Sequence, residues 1–370
     1  MLNIMSKPKT TIRLIKPYIS FAELEHDLRD ILASGILTRG RKVADFAEGL
    51  ASYTGSPHAY PTTSATTALS LCLKVLGIGR GDEVVVADFS FPASANVVET
   101  AGARPVFCDV DPMTWNMDPD CLEKRIGPKT KGVIFVDAMG NPSGVHAISS
   151  ICEKHEIPLI EDAACALGSS ESGRRCGSIA TLSCFSFHPR KLLTTGEGGC
   201  VTTADPAMAE SLALLLNHGG TMVEDHLEFV APGFNYRMSE IQAAMGLAQL
   251  SRLDDIIQRR QQFRNACTHE LRSLGFRPQE TGTDVHHNVQ SLVYTVPEGM
   301  DRDRLIHHLA HQGVESSLGT YCLSNTKFYR EKYDDVQPIA MRLQETTLTL
   351  PCHDEVDPDQ LISAVASFSG

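Results

Sequence analysis

From about residue 60 onward, helical periodicity alternates with short apolar runs that carry no polar alternation, and this pattern narrows the possible folds more than any other feature. Residues 67–76 place Ala68, Leu69, Leu71, Cys72, Val75 and Leu76 at helical spacing, Gly77 stops them, and EVVVADF follows. A helical stretch at 96–101, the run RPVFCDV, a helix around 121–126 and the run KGVIFVDA continue the pattern. VHAISSICEKHE then leads into IPLIEDA. Runs such as VVVA, VIFV and PLI need cover on both faces, which crossover helices supply. The expected fold is α/β, a mostly parallel sheet wrapped by helices.

With 370 residues the chain is too long for one small core, and a large unit plus a small one is expected. Residues 239–274 read as one long helix ended by Gly275. Beyond it, QSLVYTV, DRDRLIHHLAHQG, TLTLP and DPDQLISAVASF compose a smaller α/β unit. The boundary falls near residue 250, so that 1–250 hold an N-terminal segment and the large domain. Residues 251–370 then hold the bridging helix and the small C-terminal domain.

Charge excludes several partners. Lys and Arg total 33 against 45 Asp and Glu, a net of -12 that repels nucleic acid and anionic membranes. The start, MLNIMSKPKTTIRLIKPYI, is basic but lacks the apolar stretch and cleavage site of a secretion signal. No apolar run approaches the ~20 residues of a membrane span, so a cytoplasmic protein is expected. Eleven cysteines, an odd number without a CxxC pair, read as small core residues rather than a disulfide framework or a zinc site. Cys176, Cys184 and Cys200 in particular sit in strand-like context, and no metal is expected. Gly77, Gly79 and Gly81 follow a helix and precede a strand, the reverse of a dinucleotide fingerprint, so they form a turn.

The residues that bear chemistry lie at strand ends. In LSCFSFHPRKLLTTGEGGCVTT two β-rich runs flank a turn-rich segment where Pro189 stops the first run and Lys191 follows. Lys191 is either a Schiff-base lysine held in a cleft or an ordinary solvated one. Asp162 ends an apolar strand, where open α/β sheets bind ligands, though a helix cap is the rival role. Ser64, Ala65 and Thr66 open the 67–76 helix, whose free N–H groups attract a phosphate; Ser64 alone could be a plain cap. Phe89 and Phe91 offer rings for stacking or for the core, and Asn235 sits in GFNYRMSE as a site or turn residue.

Together SATTAL, DFSFPASAN, EDAACALG, SFHPRKLLTTGEGG, NHGG and GFNYRMSE resemble the DegT/DnrJ/EryC1/StrS family of sugar aminotransferases, fold type I pyridoxal-phosphate enzymes. LASGILTRGRKVADFAEGLASYTG resembles the family's opening, and the likeness runs from roughly residue 12 to 250 and more weakly to the C-terminus. The resemblance implies pyridoxal 5′-phosphate bound covalently by Lys191, with Asp162 against its ring nitrogen and Phe91 stacked on the ring. Ser186 and the backbone of Ala65 and Thr66, beside Ser64, would take the phosphate. Asn235 would reach the cofactor of a neighbouring subunit, implying a homodimer with shared sites. Two residues depart from the family pattern: Ala65 stands where Gly is usual but still offers its N–H, and Cys165 replaces the Gln or His expected to bond the ring hydroxyl.

The resemblance further implies that glutamate or glutamine donates an amino group to a keto-sugar, a nucleotide-linked 3-keto or 4-keto sugar in amino-sugar biosynthesis. A non-nucleotide keto-sugar, a cyclitol ketone or a non-catalytic regulatory protein of the same fold are the alternatives. Family dehydratases carry His in place of the lysine, so Lys191 opposes that reading, and His188 is a site-lining or packing residue. For an anionic substrate, Arg190 and Arg237 are candidate ligands with His188. Arg39 is a further candidate, whereas Arg41 and Lys42 read better as solvated charges.

Overall fold

The computed structural model describes residues 12–368, and the basic opening stretch read above lies partly outside them. Seven strands form the central sheet: β1 (His58–Thr62), β2 (Glu83–Ala87), β3 (Arg104–Cys108), β4 (Thr130–Val136), β5 (Leu159–Asp162), β6 (Leu182–Ser186) and β7 (Gly199–Thr203). Their order is β1-β7-β6-β5-β4-β2-β3. The pairs β6–β5, β5–β4, β4–β2 and β2–β3 are parallel, and β7 runs antiparallel to both of its neighbours. The mostly parallel α/β sheet expected from the apolar runs is therefore present.

Both faces of the sheet are buried. Val84, Val86, Ile134, Ile160 and Val201 pack with Leu69, Cys72 and Leu73 of the helix Ala65–Val75. Val85, Val133, Phe135 and Leu159, at alternate positions, pack with Val145 and Ile148 of the helix Val145–Lys154. Cys176, Cys184 and Cys200 are buried in the cores, the role assigned from sequence, and Cys176 also adjoins the buried acids Asp137 and Glu161. Gly77 and Gly81 adopt φ of +68° and +95° in the turn before β2, so the glycine string is a turn.

The expected single helix over 239–274 is two, Glu240–Leu250 and Leu253–Ser273, broken at Arg252 with φ -115° and ψ 3°. Ala243 and Leu253 belong with Phe46 and Leu50, and a Cβ on Gly246 would meet the Phe46 ring at 2.4 Å. Further on, Cys267 and Leu271 belong to a second core with Tyr294, Leu305, Leu348 and Leu361. Past the break Leu253 and Ile257 remain in the Phe46 core, and Arg252 at the corner lies over the Tyr18 ring (4.1 Å) and pairs with Glu23 (3.3 Å). The second core backs an antiparallel sheet ordered Arg277–Pro278, Leu292–Thr295, Thr347–Leu350, Ser317–Leu318. Among the described residues no helix is long and apolar enough to cross a membrane.

Asp88 ties the two regions together. Its carboxyl accepts Ser324 N (2.7 Å), Ser324 Oγ (2.6 Å) and Cys322 Sγ (3.1 Å). Burial still outweighs these donors and pushes its pKa from 3.8 up to about 7. The folded state thus holds this proton more tightly than the unfolded one, so stability present below about pH 4 is lost as pH rises towards 7. Asp88→Asn cannot titrate. In denaturant titrations at a series of pH values, the wild type's stability relative to this variant is expected to fall by up to about 4 kcal/mol across that window. A pH-independent difference would contradict the assignment.

Candidate functional site

The cleft at the carboxyl ends of the parallel strands is built around the loop between β6 and β7. Phe187 N bonds Gly198 O (2.8 Å), Thr195 N bonds Phe187 O (2.9 Å) and Lys191 N bonds His188 O (2.8 Å), which closes the segment into a compact turn. From the far side the Gln290 side chain donates to Arg190 O (2.7 Å) and accepts from Leu192 N (3.1 Å). The backbone on both sides of Lys191 is therefore fixed. Its ammonium enters a cavity of about 550 Å³ and donates to Cys165 Sγ at 2.9 Å. Cys165, the departure noted from sequence, touches the amine directly.

Asp162 closes β5 at the floor of the same cavity and is 6% exposed. Ser94 Oγ donates to its Oδ2 at 2.7 Å and Ala164 N to its Oδ1 at 3.3 Å. Burial raises its pKa, against the pull of Ser94, Ala164 and the Lys191 charge. A carboxylate so placed favours a cationic partner in the cleft. Beside it lie two more buried acids and a thiol, Asp137, Glu161 and Cys176, with ligand-type atoms within 4.8 Å of one another. Both Asp137 oxygens and Glu161 Oε1 lack a hydrogen-bond donor. Burial, with repulsion from Glu161 and Asp162, pushes the Asp137 carboxyl well up, and burial raises Glu161.

The amino end of the helix Ala65–Val75 forms another wall. Ser64 is its N-cap, accepting Thr67 N at 3.2 Å in a reciprocal box with Thr67. Helix geometry leaves the N–H groups of Ala65 and Thr66 free to face a ligand, and both residues line the cavity. The close approach of β7 holds this end in place, since a Cβ on Gly199 would meet Ser64 C at 2.4 Å. Ser186 lines the cavity and accepts His188 N at 3.4 Å. Of the two candidate rings, Phe89 is wholly buried, edge-on to Trp115 at 6.3 Å. Phe91 is 65% exposed at the cavity, 6.5 Å from the Tyr321 ring.

His188 and Arg190 line the cavity, and His188 Nδ1 accepts Arg190 N at 3.1 Å. Asn235 and Arg237 are not part of that lining. Asn235 is exposed, and Arg237 donates to Leu216 O at 3.1 Å. Arg39 bonds Asn217, Lys42 pairs with Asp27 at 2.7 Å and Arg41 approaches Asp45 at 3.4 Å, all outside the cavity. Sequence reading missed Ser94, which aims Asp162, and Gln290, which brackets Lys191. Ser94 sits within DFSFPASAN, but nothing there singles it out, and Gln290 belongs to none of the family motifs.

The whole arrangement has counterparts. Residues 20–369 match the model of the DegT/DnrJ/EryC1/StrS aminotransferase family. The chain belongs to this family. It is therefore related to sugar aminotransferases with the pyridoxal-phosphate-dependent fold. It is 35% identical over 363 residues to the GDP-perosamine synthase of Caulobacter vibrioides, covering 96% of this chain and 97% of the relative. The PMP-form structure of the sugar aminotransferase Spr1654 from Streptococcus pneumoniae superposes with a TM-score of 0.91 at 30% identity, covering 96% and 98%. A structure of DesI in the presence of its TDP-sugar product superposes at 0.89 with 29% identity, covering 97% and 92%.

Proposed function

We propose that this sugar aminotransferase binds pyridoxal 5′-phosphate and moves an amino group from glutamate or glutamine to a nucleotide-linked 3-keto or 4-keto sugar. One observation carries the reading: a lysine amine, a buried carboxylate and free N–H groups at a helix end converge on one cavity. These residues fit the cofactor. Lys191 would hold its aldehyde, Asp162 its ring nitrogen, and Ala65 N, Thr66 N and the Ser186 hydroxyl its phosphate, with Phe91 against the ring. Bound there, the group supplies an electron sink for negative charge at the donor's Cα.

The remaining work belongs to the chain. Asp162 would hold a proton on the ring nitrogen, and that positive charge would offset the burial cost of the carboxylate. Lys191, once its amine is free, takes and returns the proton at the reacting carbon, with Gln290 holding its loop still. The donor's departing oxo acid and the arriving keto-sugar use the same cavity in turn. Two relatives, the GDP-perosamine synthase and DesI with its TDP-sugar product, support a nucleotide-linked acceptor.

A homodimer with shared sites is part of the reading. Asn235 lies outside the cavity of its own chain, just after a hairpin, Gly220–Val223 and His226–Phe229. That hairpin exposes Met222, Leu227 and Phe229, an apolar patch suited to a subunit contact. Mixed dimers of Lys191→Ala and Asn235→Ala chains are expected to recover activity that the Lys191→Ala homodimer lacks. Sedimentation as a monomer at working concentration would refute the shared site.

The central test is spectroscopic. L-glutamate added to the holoprotein should remove the cofactor's visible absorption and release one 2-oxoglutarate per site, and a keto-sugar from a nucleotide-linked panel should restore the band. If no amino acid releases its oxo acid, the reading fails. Ser94→Ala removes a bond that lowers the Asp162 pKa, so that pKa rises. The acid limb of the kcat/KM profile is then expected to move to higher pH, with roughly tenfold lower activity at neutral pH.

A further inference from the structure

Arg260, on the helix Leu253–Ser273, reaches the wall of the same cavity. Its Nη1 donates to Val289 O at 3.2 Å and Gln290 O at 3.0 Å. Gln290 is the residue whose side chain brackets Lys191, so one short segment positions the guanidinium and the reactive amine together. No carboxylate among the described residues pairs with Arg260. Asp354, whose charge favours its ionised form, bonds Arg259 at 3.2 and 3.4 Å instead. Desolvation depresses the guanidinium's pKa, as expected of a partly buried cation with no paired carboxylate among the described residues.

Two carbonyls occupy only part of a five-donor fork, and the rest can bind a planar anion through two parallel bonds. We infer that Arg260 is the subsite for the carboxylate of the amino-acid donor, a role that rests on the aminotransferase reading. Depth separates the donor from the other anion in the reaction. The sugar's diphosphate is bulky and suits the exposed Arg190, whereas a carboxylate one bond from the reacting Cα must lie near Lys191, in the frame that Gln290 builds. Arg260 supplies no proton; it selects donors and orients Cα.

Glutarate, a dicarboxylate with no amino group, is the probe. Calorimetric titration of the holoprotein is expected to give a Kd at least tenfold higher for Arg260→Gln than for wild type, roughly the value of a charged hydrogen bond. The L-glutamate half-reaction should lose about a hundredfold in kcat/KM, chiefly through KM, while propylamine, which has no carboxylate, reacts at the wild-type rate. Arg260→Lys keeps the charge without the fork and should bind glutarate with intermediate affinity, which preserves the test if the Gln variant does not fold. Unchanged glutarate affinity in either folded variant overturns the subsite, as does equal slowing of propylamine and glutamate. Wild type that transaminates normally beside an indifferent Arg260→Gln refutes the subsite alone. Glutarate binding that depends on Arg260 in a protein releasing no oxo acid from any donor supports the subsite and refutes the aminotransferase reading.

Discussion

Lys191→Ala is expected to abolish turnover, a loss of about 10⁴-fold or more, and to remove the visible absorption of the covalently held cofactor. The size follows from two functions residing in one atom. On this reading the ε-amine would be both the point of attachment and, among the described residues, the only lysine amine lining the cavity to carry a proton at the reacting carbon. The fold should be untouched, because the loop is held by backbone bonds and by Gln290 rather than by the lysine side chain. Stopped assays and an absorption spectrum of the reconstituted variant check both parts. Retained turnover would remove the basis for every step assigned to this cavity.

Asp162→Asn should cost about 10³-fold in kcat while leaving the protein folded. An amide accepts the Ser94 hydroxyl as the carboxylate does, so the packing survives. It cannot hold a positive charge on a ring nitrogen, and the electron sink weakens accordingly. Because burial raises the Asp162 pKa, the neutral variant also removes a buried titrating group. Its stability relative to wild type should therefore improve as pH rises, the opposite of its effect on rate. Parallel measurement of kcat and denaturant midpoints against pH separates the two; a variant with wild-type kcat would exclude the ring-nitrogen role.

Local grammar explains what was legible. A strand end, a helix start and a glycine-permitted turn are short-range features, so Asp162, the Ser64 cap and the Lys191 loop could each be located within a few residues of sequence. Partners across the fold could not. Ser94 meets Asp162 over 68 residues of chain, and Gln290 meets Leu192 over 98 and Arg190 over 100. The DFSFPASAN motif around Ser94 marks the region but not its partner, and Gln290 lies outside the family motifs. The break at Arg252 was illegible because the stretch has helical periodicity throughout and no Gly or Pro stands at residues 250–253.

Sequence alone determined the α/β class, the mostly parallel sheet and the motif set that marks the family, because runs of apolar residues and turn chemistry act through nearest neighbours. Tertiary structure decided which of two phenylalanines is buried and which is exposed at the cavity, that Cys165 touches the lysine amine, and that Arg260 lines the same cavity. Those are questions of direction and distance between distant segments. They are answered when burial and unsatisfied charge are balanced over the whole fold, and no window of sequence contains that balance.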